Sequence, residues 1–342
     1  MALLWSTSTV NYYKSEVIDS DFTQGKEETR RDVCGNFSKA FHGYYDALVR
    51  GHIPFAVIDE VAIEKGELEN YQALIMPNCA CLSDETAKIV ASFVERGGTL
   101  VATLGTSSCN QFGESRGQLA LAEVLGVSWN GGFAGPYDND HLFIQDKHDS
   151  FTWPGQGSAI PAPPWAISLE ATKAEVSLTY RQKAQARYSE IPPPSSQPAI
   201  CEHRYGEGRS IYFAGNFDEL YHDYQLDEIR KILLWPLEDI KLPVVVEGLP
   251  QSVEVVPRMQ GNRLIVHFIN YTGEMTRPIR EIVPINNIRL GFPGLSGLNK
   301  VRTLFLGKEL DLKKEGDWFK VTLPFLNAYD VLVLEDVRFL EM

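Results

Sequence analysis

The hydrophobic and polar positions of residues 71–110 predict a strand, a helix and a second strand in close succession. Ala73–Met76 is an unbroken apolar run closed by Pro77 and Asn78, the pattern of a strand covered on both faces. Ser83 fits a helix N-cap, and Asp84 and Glu85 place negative charge against the exposed amides of the first turn. Ile89, Val90, Phe93 and Val94 then share one helical face, and Gly97 with Gly98 ends it. Thr99–Thr103 is the next apolar strand, leaving through Leu104, Gly105, Thr106 and Ser107. Parallel strands joined by a helix form a βαβ unit, and ligands of open sheets gather at the carboxyl ends. Residues 78–81 and 105–109 are therefore the expected lining of any site.

The same reading extends in both directions. Residues 2–6 read as a first strand, 7–36 as a long polar loop able to fold over the sheet end, and 38–50 as a helix. That helix carries Phe41, Tyr44, Tyr45 and Leu48 on one face. Residues 55–58 are a strand, a helix is expected near 118–125, and strands at 127–145 and 174–180. The proline-rich runs 154–165 and 191–198 read as surface loops. A hairpin turn at 203–209 feeds a strand at 210–214, and a helix over 227–237 closes a first domain. From Pro243 onward no long helix is apparent. Strands at 244–246, 252–256, 264–270, 301–305, 318–323 and 331–334 alternate with turn residues, clearest at 260–263 and 314–317. The expected architecture is an α/β domain over 1–242 with a mainly parallel sheet flanked by helices, then an antiparallel β sandwich over 243–342.

Composition narrows the function classes. A formal charge of −13 with scattered basic residues argues against nucleic acid. No apolar run is long enough for a membrane span and no leader pattern opens the chain, so the expected compartment is the cytoplasm. Met1 runs straight into strand residues, as in a segment of something longer. Five cysteines, odd in number and without a CxxC pair, read as reduced, packed thiols. His203, His222, Asp218 and Glu219 lack metal-ligand spacing, and no metal or cofactor is expected.

The strings HIPFAVIDE (52–60), YQALIMPNCACLSDETAKIVASFVERGGTLVAT (71–103), RYGEGRSIYFAGNFDELY (204–221), GNRLIVHFINYTGE (261–274) and REIVPI (280–285) carry a resemblance. In that order they resemble the region after the barrel in glycoside hydrolases related to family 42 β-galactosidases. Such proteins place a catalytic (β/α)8 barrel before a trimerisation domain and a small β domain. The resemblance implies a flavodoxin-like, class I glutamine amidotransferase-like fold for the first domain. It also implies a non-catalytic oligomerisation and carbohydrate-associated region. The implied partners are further copies of the chain, as a trimer, or a catalytic barrel, with carbohydrate nearby. Catalysis in these hydrolases needs two carboxylates from a barrel of roughly 250 residues. The matching strings lie beyond a barrel, so no catalytic residue carries over.

Two other readings compete. The amidotransferase-like fold raises a nucleophile at a strand-to-helix elbow, with Ser107 or Cys109 as candidates. Residues 105–109 narrowly miss GxSxG because Cys109 stands where the last glycine belongs, which fits a degenerate elbow better. Cys79 and Cys81 precede a helix, but read more simply as packed thiols. The third reading is a sensor binding a small ligand at Asn78 and Thr106. Asn216, Asp218 and Tyr221 follow a strand and are expected on the same rim. Trp129, Phe133, Tyr137, Trp153 and Trp165 suit loop packing or an interface ahead of sugar stacking.

Overall fold

The structure, a computed structural model, describes residues 1–13, 17–21, 26–29, 34–137, 140–144, 160–182, 190, 192–273 and 278–339. The chain divides into two compact units, residues 1–45 with 56–238 and residues 46–55 with 239–342. The sequence expectation placed the division after residue 242 and kept 46–55 with the first domain.

The first unit is built on a nine-stranded sheet. Its strands are β1 (Ala2–Leu4), β2 (Ala56–Ile58), β3 (Ala73–Met76), β4 (Thr99–Thr103), β5 (His141–Ile144), β6 (Ile160–Pro161), β7 (Glu175–Arg181), β8 (Pro194–Tyr205) and β9 (Gly208–Phe213). They run in the order β2-β1-β3-β4-β9-β8-β7-β5-β6. From β2 through β9 every pairing is parallel, and beyond β9 every pairing is antiparallel. The apolar runs explain the parallel half: Ala73–Met76 and most of Thr99–Thr103 are sealed from water on both faces. Burying one such leucine, isoleucine or valine contributes about 1.5–3 kcal/mol.

Helices flank the sheet where the stripes predict them. The helix α2 (Phe37–Arg50) buries Phe41, Tyr44 and Leu48. Tyr45 remains 38% exposed, one position off the face expected for it. The helix α3 (Asp84–Glu95) is capped by Ser83, whose side chain accepts the Thr86 amide. The helices α4 (Phe217–Tyr224) and α5 (Asp227–Leu234) close the unit, and the Tyr44 hydroxyl donates to the Leu233 carbonyl at 2.8 Å.

Three expectations change. The polar stretch after β1 opens with a helix, α1 (Thr7–Tyr12), and holds a strand pair, Val17–Asp21 with Lys26–Thr29. The helix has no apolar stripe; Ser6 caps it by accepting Thr9 N–H, and Glu60 takes the Thr7 and Ser8 amides from afar. The proline run expected as a loop instead begins β8. Its pairing with β9 starts only at Ile200, so Pro194–Pro198 meet β7 alone, with register shifts, and prolines are tolerated on such a one-sided segment. A strand not foreseen, Ala166–Ala171, pairs with Val127–Ala134 in a separate small sheet.

The second unit is an antiparallel sandwich. One sheet holds β10 (Val245–Glu247), β13 (Ile285–Pro293), β15 (Leu312–Glu315) and β16 (Trp318–Leu326). The other holds β11 (Val253–Gln260), β12 (Arg263–Asn270), β14 (Lys300–Thr303) and β17 (Tyr329–Glu335). Both foreseen hairpins are present, with Gly261 and Gly316 at positive φ in two-residue turns. Phe268, Phe292, Leu323 and Leu334 lie at the centre of its core.

Candidate functional site

The two loops that leave β3 and β4 lie side by side at the carboxyl end of the parallel strands. Asn78 takes a left-handed backbone (φ 42°), as do Leu104 (φ 43°) and Ser107 (φ 65°), which sharpens both turns. Backbone bonds run between them: Ser107 N–H donates to the Cys79 carbonyl at 2.9 Å, and Cys109 N–H to the Ala80 carbonyl at 2.9 Å. The expected juxtaposition of residues 78–81 with 105–109 is therefore present.

Their side chains turn inward. Asn78 donates its backbone N–H to Thr103 Oγ1 at 2.8 Å, accepts Gly105 N–H at Oδ1 (3.1 Å) and donates Nδ2–H to the Cys34 carbonyl (3.3 Å). Thr106 Oγ1 accepts Cys79 N–H at 3.1 Å and lies 2.7 Å from the Thr103 carbonyl. Ser107 Oγ accepts Leu121 N–H at 3.3 Å. Asn216 exchanges bonds with Trp165, its N–H donating to the Trp165 carbonyl and its Oδ1 accepting Trp165 N–H. Tyr221 is buried with them.

Asp218 and Glu219, in the first turn of α4, complete the cluster. Asp218 Oδ2 accepts the Thr103 hydroxyl at 2.6 Å, and Oδ1 accepts Glu219 N–H. Glu219 Oε1 accepts Asn36 N–H at 2.7 Å. Burial pushes the Asp218 carboxyl up to about 6, against the Thr103 hydrogen bond that favours its charged form. Burial and then the Asp218 charge push Glu219 up to about 8. Across this end runs the segment 34–36, held by Tyr13, whose hydroxyl accepts Cys34 N–H at 2.9 Å. Gly35 (φ 77°) fits there because a Cβ would stand 2.5 Å from Glu219 Oε1 and from Leu104.

The switch point, between β1 and β3 where strand order reverses, is the usual ligand position in open α/β sheets. Here an internal carboxylate fills it. Glu60 accepts Thr7 N–H at 3.0 Å and Ser8 N–H at 3.2 Å at the start of α1, and Ser6 Oγ donates to it at 2.7 Å. Thr9 Oγ1 accepts Cys81 N–H at 3.0 Å alongside.

Cys109 is only 7% exposed and faces Cys81 in a short parallel bridge. The Cys81 thiol favours a thiolate at Cys109; with Ser108 and the Arg116 guanidinium it lowers Cys109 to about 7, against burial. The same bond, with burial, raises Cys81. Among the described residues no group of three His, Cys, Asp or Glu side chains is arranged to hold a metal. Of the loop aromatics, Trp129 donates its indole N–H to the Gly132 carbonyl, and Tyr137 stacks on Tyr180 at 4.4 Å. Trp153 lies outside the described residues. Sequence reasoning passed over Thr103, Asn36, Tyr13 and Glu60, which gain partners only through contacts far apart in the chain.

Fold and site together define an α/β protein whose sheet end is sealed by its own side chains. Residues 18–232 match the family model of the β-galactosidase trimerisation domain, and the chain belongs to that family. It is 22% identical over 257 residues to the β-galactosidase Pbg of Clostridium perfringens, covering 73% of this chain and 33% of that protein. The chain thus spans about a third of the length of the curated relatives it matches. Two solved structures share the fold. α-L-Fucosidase isoenzyme 2 from Paenibacillus thiaminolyticus superposes with a TM-score of 0.69 at 19% identity, over 98% of this chain and 48% of that one. The β-galactosidase from Bacillus circulans sp. alkalophilus gives 0.61 at 20% identity, over 89% and 38%. Among the described residues no helix is long and apolar enough to cross a membrane.

Proposed function

We propose that this chain is the non-catalytic assembly region of a β-galactosidase-like glycoside hydrolase, holding copies together as a trimer beside a (β/α)8 barrel. The family match over residues 18–232 carries the reading. The parallel strands, counted among themselves, run 2-1-3-4-5, which supports a flavodoxin-like core. Asn78, Thr106, Ser107, Asn216, Asp218 and Tyr221 serve this role by fixing the sheet end rather than by gripping a ligand, because all are buried and most spend their polar atoms on backbone. Beside them an apolar surface remains open: Tyr12 and Phe112 are exposed and meet edge to face at 5.9 Å, with Val10 nearby in sequence. That pair is the proposed contact with a neighbouring copy. Five free, buried cysteines suit a cytoplasmic chain. Sedimentation equilibrium at micromolar concentration should give three times the 38.4 kDa chain mass, falling toward one in Y12E/F112E. A monomeric wild-type chain would remove the reading.

A second reading, a thiol enzyme, draws on the lowered Cys109. Iodoacetamide separates the two. Slow labelling of the folded chain at neutral pH, accelerating on unfolding, supports assembly, whereas rapid stoichiometric labelling of Cys109 supports an enzyme.

A further inference from the structure

The second unit carries a groove of about 620 Å³ on the outer face of the β10-β13-β16-β15 sheet. That volume falls within the range of small-molecule sites, roughly 300–1,000 Å³. The sheet's register explains the groove floor. Along β16 alternate residues point inward to the sandwich core, so Phe319, Val321 and Leu323 are buried while Trp318, Lys320 and Thr322 point out. Opposite Lys320 stands Gly291, and opposite Trp318 stands Pro293.

Gly291 decides how the indole lies. A Cβ built there would sit 2.8 Å from Trp318 Cε3 and Cζ3, so the six-membered ring occupies the space a side chain would fill. The Cε3–Cζ3 edge of the indole abuts the strand at Gly291, and the residue remains 39% exposed in a position lining the groove. A partly exposed aromatic ring braced by its edge against a strand is a stacking platform of low conformational entropy.

The walls are charged but balanced. Glu247 pairs with Arg289 at 3.5 Å across β10 and β13, and Glu315 pairs with Lys320 across the β15-β16 hairpin. The groove lining as a whole carries equal numbers of cationic and anionic side chains. Such a wall presents many donors and acceptors without a net field, and so favours a polyhydroxylated neutral ligand over a polyanion or polycation.

We infer that this groove is a binding site for a neutral saccharide chain, with one sugar ring stacked on Trp318 and its hydroxyls bonded to the flanking Glu247, Arg289, Glu315 and Lys320. The ligand is bound without chemical change. The assembly role proposed above neither requires this site nor predicts it.

The test is affinity electrophoresis of the full 342-residue chain in gels containing neutral galactan, xylan or mannan, with polygalacturonate as the anionic counterpart. At least one neutral polymer should retard the chain, and polygalacturonate should retard it less. W318A should weaken that retention at least tenfold, and W318F should retain most of it. G291A keeps the indole but lifts it from the strand, and should weaken binding with Trp318 still present. Melting temperatures of all variants are measured alongside. Should W318A fail to fold, W318F and G291A decide the matter. Absence of retardation by every neutral polymer, stronger retardation by polygalacturonate, or retention unchanged in folded W318A or G291A would each overturn the inference.

Discussion

Thr103 Oγ1 donates to Asp218 Oδ2 at 2.6 Å while accepting the Asn78 backbone N–H at 2.8 Å. One hydroxyl thus ties the end of β4 to the loop after β3 and to the first turn of α4. Thr103→Val keeps the shape and removes both bonds, leaving a buried amide and a buried carboxyl oxygen without a partner. A loss of about 2–4 kcal/mol follows from two such groups. The denaturant midpoint should fall and hydrogen exchange at the Asn78 amide should accelerate, with Thr103→Ser restoring most of both. Unchanged exchange at Asn78 in the valine variant would show that the hydroxyl carries no such weight.

The buried acids give a pH dependence whose sign is opposite to that of a salt-bridged carboxylate. Asp218 is pushed up to about 6 and Glu219 to about 8, chiefly by burial, with Lys39 opposing the rise at Glu219. Unfolded, both titrate near about 4. Above that pH the native chain still holds protons that the unfolded chain has released, so this pair's contribution is full in acid and is lost as pH rises toward 8. Glu219→Gln keeps an oxygen to accept Asn36 N–H and removes the ionisation. It should be about 2–4 kcal/mol more stable than wild type at pH 8 and nearly equal to it at pH 4.5. Thermal melts across that range read the difference; parallel pH profiles for the two proteins would contradict it.

Much of the framework was legible from apolar runs and stripes because those signals are local. Ala73–Met76, Thr99–Thr103 and the helix capped by Ser83 stand where the pattern puts them, as do the Gly261 and Gly316 hairpins. The helix α1 was not legible, because its six residues have no stripe and its partner Glu60 lies more than fifty residues away. The prolines of β8 misled for a similar reason: whether a strand segment is paired on one side or two depends on its neighbours. At the sheet end the sequence indicated which loops meet. It did not contain the direction of their side chains, which is set by residues 34–36 and by Asp218 and Glu219 arriving from distant parts of the chain.

Gly43 sits inside α2, where ordinary helix propensity favours alanine by about 1 kcal/mol. Contact reverses that preference. A Cβ at residue 43 would lie 2.0 Å from the Asp218 carbonyl oxygen and 2.8 Å from its carbonyl carbon, both backbone atoms that no rotamer can clear. Separating the α2 and α4 backbones costs about 1–3 kcal/mol by the standard of overpacked cores. Gly43→Ala should therefore destabilise the first unit despite the better propensity, and Glu219, one residue further along α4, should show faster amide exchange. A more stable variant would mean that the two helices separate freely.

Glu60 uses both carboxylate oxygens, Oε2 for Thr7 N–H and Oε1 for Ser8 N–H and the Ser6 hydroxyl. It therefore supplements the Ser6 N-cap, whose Oγ accepts Thr9 N–H, in a helix that is too short and too polar to hold itself, since isolated helices below ~12 residues are marginal in water. Replacing it by alanine strands two amides at a helix start where negative charge is also favourable, a loss of about 1–3 kcal/mol. Glutamine, usually the mild substitution, should be nearly as damaging, because its amide nitrogen would turn a donor toward Thr7 N–H or toward the Ser6 and Ser8 donors. Glu60→Asp is too short to span the same donors and should fall with them. Circular dichroism melts together with amide exchange at Thr7 and Ser8 provide the measurement. A glutamine variant with wild-type stability would show that one accepting oxygen is enough, and that α1 is held by its packing instead.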